Sequence, residues 1–181
     1  MIASLKYTHA DFLQMPDDGK RREIIDGDLY VTPSPLTPHQ RTLLELAFAF
    51  RAFLQEHPFG EVLIAPLDVI CTEHDVLEPD LLFVLNEQKD ILQDWVRGAP
   101  DLVVEVFSLN TETRDRGIKL KAYGRFGVAE YWIVDPAAHT VEVYRPSPQG
   151  LQLAETCASD AALTTPLLPG FAVPVSSIFR P

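Results

Sequence analysis

The chain has 181 residues, 46% hydrophobic and 23% charged, a balance that suits one domain with a sizeable core over residues 1–181 and excludes a disordered chain. No run of about 18 apolar residues occurs, so no helix of the sequence is expected to span a membrane. With 15 basic against 26 acidic residues the net charge is -11, which argues against holding nucleic acid by overall charge but leaves room for a local basic patch.

From the N-terminus, Met1 to Lys6 lack the long apolar stretch of a secretion signal. Thr8-His9-Ala10-Asp11 reads as the capped start of a short helix that ends before Pro16. A loop over residues 17–19 follows. Arg22-Glu23-Ile24-Ile25 and Asp28-Leu29-Tyr30-Val31 flank Asp26-Gly27, which is a strong hairpin signal. Thr37-Pro38-His39-Gln40 opens a helix to about His57, with Thr37 as cap, Gln40 completing a capping box, and Leu43, Leu44, Ala47, Phe50 and Leu54 on its buried side.

Glu61 to Cys71 reads as extended chain, with a turn at Glu73-His74-Asp75. Pro79-Asp80 leads into the buried strand Leu81 to Leu85, and residues 87–97 read as a helix. Asp101 to Phe107 is the most apolar strand. Asn110 or Thr111 caps a helix to about Phe126; Glu130 to Val134 and Val141 to Arg145 are strands around Asp135-Pro136. The tail, rich in proline, is extended and turn-rich. Hairpins mixed with helices predict an α/β or α+β domain around a mixed sheet, with an N-terminal β-hairpin. Cys71 and Cys157 form no close pair and read as reduced thiols of a cytoplasmic protein.

The motifs narrow the chemistry. There is no GxGxxG after a strand, GxxxxGK[ST], GxSxG, HExxH or CxxC. Carboxylates, lysines and an oxygen-binding divalent metal remain. Glu105 stands inside an otherwise apolar strand, where a lone carboxylate is costly unless it is paired, hydrogen-bonded or metal-bound. A structural ion pair, or an edge strand with Glu105 facing water, would also explain it. As a metal ligand it needs a second carboxylate. Asp101 lies four residues away along the same strand, about 13 Å, whereas magnesium gathers oxygens at about 2.1 Å. Asp80, at the head of a different strand, is therefore preferred.

On the following helix, α-helical phasing puts Lys119 on a face with Glu112, Asp115, Tyr123 and Phe126, and puts Arg114, Lys121 and Arg125 on the opposite side. Lys119 thus reads as inward, and Lys121 as part of an exposed basic stripe. Residues 110–126 carry five basic and two acidic residues, +3 against -14 for the rest. That stripe, with Lys20-Arg21-Arg22, could guide a phosphate backbone; a solvated helix face is the equal alternative.

Taken in order, Glu23-Ile24-Ile25-Asp26-Gly27, Pro38-His39-Gln40, Pro79-Asp80, Glu105-Val106-Phe107-Ser108, Asp115-x-x-x-Lys119-Leu120-x-x-Tyr123 and Gly127-Val128-Ala129-Glu130-Tyr131-Trp132-Ile133-Val134-Asp135-Pro136 resemble the Uma-two family of restriction-endonuclease-like proteins. That family is similar to the PD-(D/E)xK nucleases. The resemblance implies a mixed β-sheet flanked by helices and a site of Glu23, Asp80, Glu105 and Lys119, with Mg2+ or Mn2+ on Asp80 and Glu105 and the Glu105–Val106 backbone assisting. In the superfamily pattern the lysine sits two residues after the acidic ligand, where this chain has Phe107; the lysine comes instead from the next helix. His39 also matches, and in a first helical turn it would contact a phosphate or orient a carboxylate, with a buried structural histidine as the equal alternative; Arg114, Lys121 and Arg125 are the other phosphate candidates. The expected activity is metal-dependent endonucleolytic hydrolysis of DNA. The rival reading is a nuclease-fold module that binds nucleic acid or a protein without cleaving. A homodimer is the default assembly, since symmetric dimers are the commonest oligomers.

Overall fold

The computed structural model describes residues 6–16, 18–107 and 112–180. Thr8 caps α1 (His9–Phe12) through a capping box with Asp11. β1 (Arg21–Ile25) and β2 (Asp28–Thr32) pair as the expected hairpin. Asp26 and Gly27 both take positive φ, 54° and 75°, the conformation a two-residue turn of this hand requires and Asp-Gly tolerates.

α2 (Thr37–Glu56) begins where expected, but Leu36 is its N-cap and no side chain caps it. Thr37 is already helical, so the anticipated capping box does not form. The buried face runs through His39, Thr42, Leu43, Leu46, Phe50 and Leu54. Leu44, expected inside, is 67% exposed, because each residue turns the helix by about 100° and the stripe through Leu43 and Leu46 carries position 44 outward.

The extended stretch after Gly60 is two strands, β3 (Gly60–Ile64) and β4 (Val69–Thr72), which join different sheets. Pro66 falls between them; proline has no N–H to donate to a continuous ladder. β5 (Asp75–Leu77) and β6 (Leu81–Leu85) follow. Residues 87–97 do not form the expected helix. A 3₁₀ segment (Asn86–Ile91) leads to β7 (Val96–Arg97), which pairs in parallel with β4. Val96 is buried there with Val69, Leu82 and Val84, and that packing outweighs a weak local preference.

The remaining strands are β8 (Leu102–Val106), β9 (Glu130–Asp135), β10 (Thr140–Ser147), β11 (Gly150–Cys157), β12 (Ala162–Thr164) and β13 (Ala172–Pro174), with α5 (Val175–Ile178) after them. Among the described residues the main sheet has the order β11-β10-β9-β8-β6-β3 and a second sheet the order β2-β1-β5-β4-β7. β8 and β9 run parallel while β6 and β8 run antiparallel, so the main sheet is mixed, as expected. Between β8 and β9 the chain is helical as α3 (Glu112–Arg114), a π segment (Asp115–Lys119) and α4 (Leu120–Phe126), closed by Gly127 in the left-handed region. The cap expected at Asn110 or Thr111 lies outside the described residues.

β8 shows why an acid can live in this strand. Leu102, Val104 and Val106 pack with Phe50 of α2, Trp132 of β9 and residues of the tail. Val103 and Phe107 pack on the opposite face with Tyr123 and Tyr131. By period two Glu105 belongs to that second face, below the helix that carries Lys119. Cys157 is buried and Cys71 half-buried, both as free thiols.

Candidate functional site

Leu81 pairs with Val104 in the antiparallel β6–β8 ladder, so Asp80, one residue earlier, comes opposite Glu105. The Val106 N–H donates to Asp80 Oδ2 at 2.9 Å, and His39 Nε2 meets the same oxygen at 3.0 Å. His39 is thus buried against a carboxylate, a contact that suits both an orienting and a structural histidine. Arg21 donates to Asp80 Oδ1 at 3.1 Å and is itself held by Glu78, at 2.6 Å to Oε1 and 2.9 Å to the main-chain carbonyl. Burial alone would raise the Asp80 pKa; His39, Arg21 and Lys119 outweigh it and hold the group below the ordinary carboxylate range.

Lys119 is 2% exposed. Its Nζ lies 2.7 Å from Glu105 Oε1 and 2.8 Å from Glu23 Oε1. Tyr123 donates its hydroxyl to Glu105 Oε1 at 2.9 Å, and the Glu78 N–H donates to Glu23 Oε1 at 3.0 Å. Burial works against the charged lysine, but Glu105, Glu23 and Asp115 prevail and raise its pKa, so it stays an ammonium. Burial drives Glu105 well above the ordinary glutamate value; Lys119 pulls it down, and Asp80, Asp115 and Glu23 push it further up. Burial likewise raises Tyr123, which stays a neutral donor. The lysine missing from the strand at Phe107 is thus supplied from the helix to the same carboxylate.

The two lysines separate as their spacing predicts: Lys119 is buried and Lys121 exposed. Arg114 departs from expectation. α-Helical phasing turns it away from Lys119, yet it reaches Glu23 Oε2 at 3.7 Å and donates to Thr32 Oγ1 at 2.9 Å. The π segment explains this, because i→i+5 bonding brings residues five apart to about one turn, and Arg114 and Lys119 are so spaced. Arg125 stays outside, paired with Asp26 at 3.1 Å and Asp75 at 2.9 Å. Asp101 lies at the far end of the strand, accepting from the Leu85 N–H and Gln88, each at 2.7 Å, away from the site. Within Lys20-Arg21-Arg22, Lys20 and Arg22 pair with Asp18, while Arg21 enters the site. Arg21 was not among the residues that the sequence marked for the site; the signal was its spacing, since alternate residues of a strand share a face and Arg21 stands two before Glu23.

These groups line a pocket of about 270 Å3 that includes Arg21, Glu23, His39, Asp80, Glu105 and Lys119, with Arg114 on its wall. Lys121 and Arg125 do not line it. Glu105 Oε1 takes both Lys119 and Tyr123, and Oε2 has no hydrogen-bond partner among the described residues. Asp80 Oδ1 accepts only from Arg21 among the described residues. Among the described residues no group of three or more His, Cys, Asp or Glu is arranged to hold a metal. Two carboxylates lining one pocket nevertheless suit Mg2+ or Mn2+, which commonly take one or two carboxylates and complete their shell from water and substrate phosphate.

The family model described as Uma2, putative restriction endonuclease, matches residues 9–176, and the chain belongs to that family. Among solved structures, the chain is similar to a crystal structure of a putative nuclease belonging to DUF820 from Anabaena variabilis, with a TM-score of 0.79, 20% sequence identity, and 95% of this chain and 97% of that one covered. That likeness is one of fold, restriction-endonuclease-like with mixed sheet and flanking helices. No curated protein matches the chain.

Proposed function

We propose that this protein is a metal-dependent endonuclease that hydrolyses DNA phosphodiester bonds. The observation that carries the reading is the meeting of Asp80, Glu105 and Lys119 at one pocket with Arg21 and Arg114 on its wall, and the family description supports it. Asp80 and Glu105 would hold Mg2+ or Mn2+, which supplies Lewis-acid polarisation of the phosphate and stabilises the leaving oxygen. Lys119, kept charged between two carboxylates, stabilises negative charge as it develops on the phosphoryl oxygens and orients the attacking water. Glu23 fixes Lys119 through Oε1. His39 and the Val106 N–H fix Asp80. Arg114, five residues before Lys119, takes a non-bridging phosphate oxygen.

The test is incubation of supercoiled plasmid and short DNA duplexes with Mg2+ or Mn2+. Wild type is expected to cleave. Asp80→Asn, Glu105→Gln and Lys119→Gln should each slow cleavage by about 10²-fold or more, the usual loss for one positioned group, while Lys121→Ala keeps turnover at saturating DNA. A wild type that cleaves with neither metal, or site variants as fast as wild type, refutes the reading.

A further inference from the structure

A second cleft, of about 240 Å3, opens beside the first turns of α2 and is lined by Arg41, Thr42, Pro136, His139, Phe179 and Arg180. Most arginines of this acidic chain are committed to carboxylates: Arg21, Arg22, Arg114, Arg116, Arg125 and Arg145 each form an ion pair. Arg41 and Arg180 have no carboxylate partner among the described residues, and both are exposed. The His139 ring stacks on Phe179, centroids 5.0 Å apart and planes within 7°, which ties the β9–β10 connection to the segment that carries Arg180. Two unpaired guanidinium groups converging on one cleft, in a chain of net charge -11, are an anion site by composition. The positive end of α2, uncapped by any side chain, adds to the same field.

Its position relative to the first pocket gives the ligand. β8 and β9 are parallel, with Val106 beside Val134. The chain leaving β9 at Pro136 therefore emerges at the same edge as the end of β8 that carries Glu105. Along α2, His39 lines the first pocket, and Pro38 and Thr42 line the second. The arginine-lined cleft stands beside the first pocket, where Arg21, Arg114 and Lys119 stand among the acids, and a nucleic-acid strand presents a regular row of phosphates to such an edge.

We propose that the second cleft is a backbone-phosphate subsite, in which Arg41 and Arg180 hold a DNA phosphate flanking the one at the first pocket. This rests on the nuclease reading for the identity of the strand. It does not involve the metal-binding or hydrolytic residues.

The test is fluorescence anisotropy with a short labelled DNA duplex in EDTA, across a salt series, with cleavage by the same proteins measured separately. Arg41→Ala/Arg180→Ala should bind roughly tenfold more weakly at low salt, and its plot of log affinity against log salt should be shallower by about 2, one for each arginine that no longer neutralises backbone charge. Arg41→Lys/Arg180→Lys should keep most of the affinity, and Lys89→Ala, which lines neither cleft, should bind as wild type. Both arginines are exposed, so the variants' thermal midpoints should equal that of wild type. A double alanine variant with wild-type affinity and slope overturns the subsite. If that result accompanies metal-dependent cleavage, the nuclease reading stands and the subsite alone falls. If binding depends on the two arginines but wild type cleaves nothing, the subsite stands and the hydrolytic reading falls. If wild type binds no DNA, both fall.

Discussion

Arg21 sets the terms on which Asp80 meets a metal. Its guanidinium donates to Oδ1, while His39 and the Val106 N–H already use Oδ2. A cation at Asp80 must therefore share with Arg21 or displace it toward Glu78. Removing that fixed positive charge should favour the metal: Arg21→Gln is expected to bind Mn2+ several-fold more tightly than wild type in calorimetric titration. In wild type, added Mn2+ should raise the thermal midpoint by mass action, and Glu105→Gln should lose that response; an equal response in both proteins would place the metal elsewhere on the acidic surface. The response also has a direction in pH. Burial raises the Glu105 pKa well above the ordinary glutamate value, so its proton competes with the metal at higher pH than a surface glutamate would allow. The midpoint shift on adding Mn2+ should fade as pH falls through that raised value, above the ordinary glutamate range. Asp80, held low, stays ionised through the same interval and does not set the limit.

At the scale of the element, two helices show how phase decides role. On α2, Leu46 is fully buried and Leu44, two residues earlier, is 67% exposed. Leu46→Ala is expected to cost about 2–5 kcal/mol, the range for a buried leucine that leaves a cavity, and Leu44→Ala to stay within about 0.5 kcal/mol; urea unfolding of the two variants measures both. Equal losses would mean that Leu44 is covered in solution. Between β8 and β9 the π segment carries Arg114 round to Glu23 and the pocket wall while Lys119 keeps its place. An uninterrupted α-helix would have offered the pocket one cation in place of two.

Across the whole molecule, Lys119 ties three parts together. Glu23 comes from the hairpin sheet, Glu105 from the main sheet, and the lysine from the helix that joins β8 to β9. The two sheets thus share a buried ion pair as well as apolar contacts such as Ile25 and Leu77 against Val103 and Tyr131. Lys119→Ala should destabilise the protein by about 3–5 kcal/mol, since it leaves buried carboxylates uncompensated. The loss should appear as a downward shift of one cooperative transition seen alike by near-UV and far-UV circular dichroism. Two separate transitions would mean that the sheets unfold independently and that the lysine does not couple them.

Much of this architecture was open to reading from the residues. The hairpin followed from Asp26-Gly27 between two β-prone runs, because few residues accept paired positive φ. Glu105 stood out because a carboxylate in an apolar strand must have partners, and the distance along one strand argued for Asp80 over Asp101. Lys119 and Lys121 separated because helix geometry is regular over a span of two residues. The ordered motifs carried the family. What the sequence left open depended on contacts between distant segments. The pairing of Val69 with Val96 made a strand of residues that read as helix. A single inserted register in the π segment, invisible to α-helical phasing, brought Arg114 to Glu23. Arg21 became part of the site only when β6 and the hairpin sheet placed Asp80 and Glu78 within its reach. Local propensity and periodicity act over a few residues and are written in order along the chain. The pairing of buried charges is settled by which strands become neighbours, and that choice belongs to the packing of the whole core.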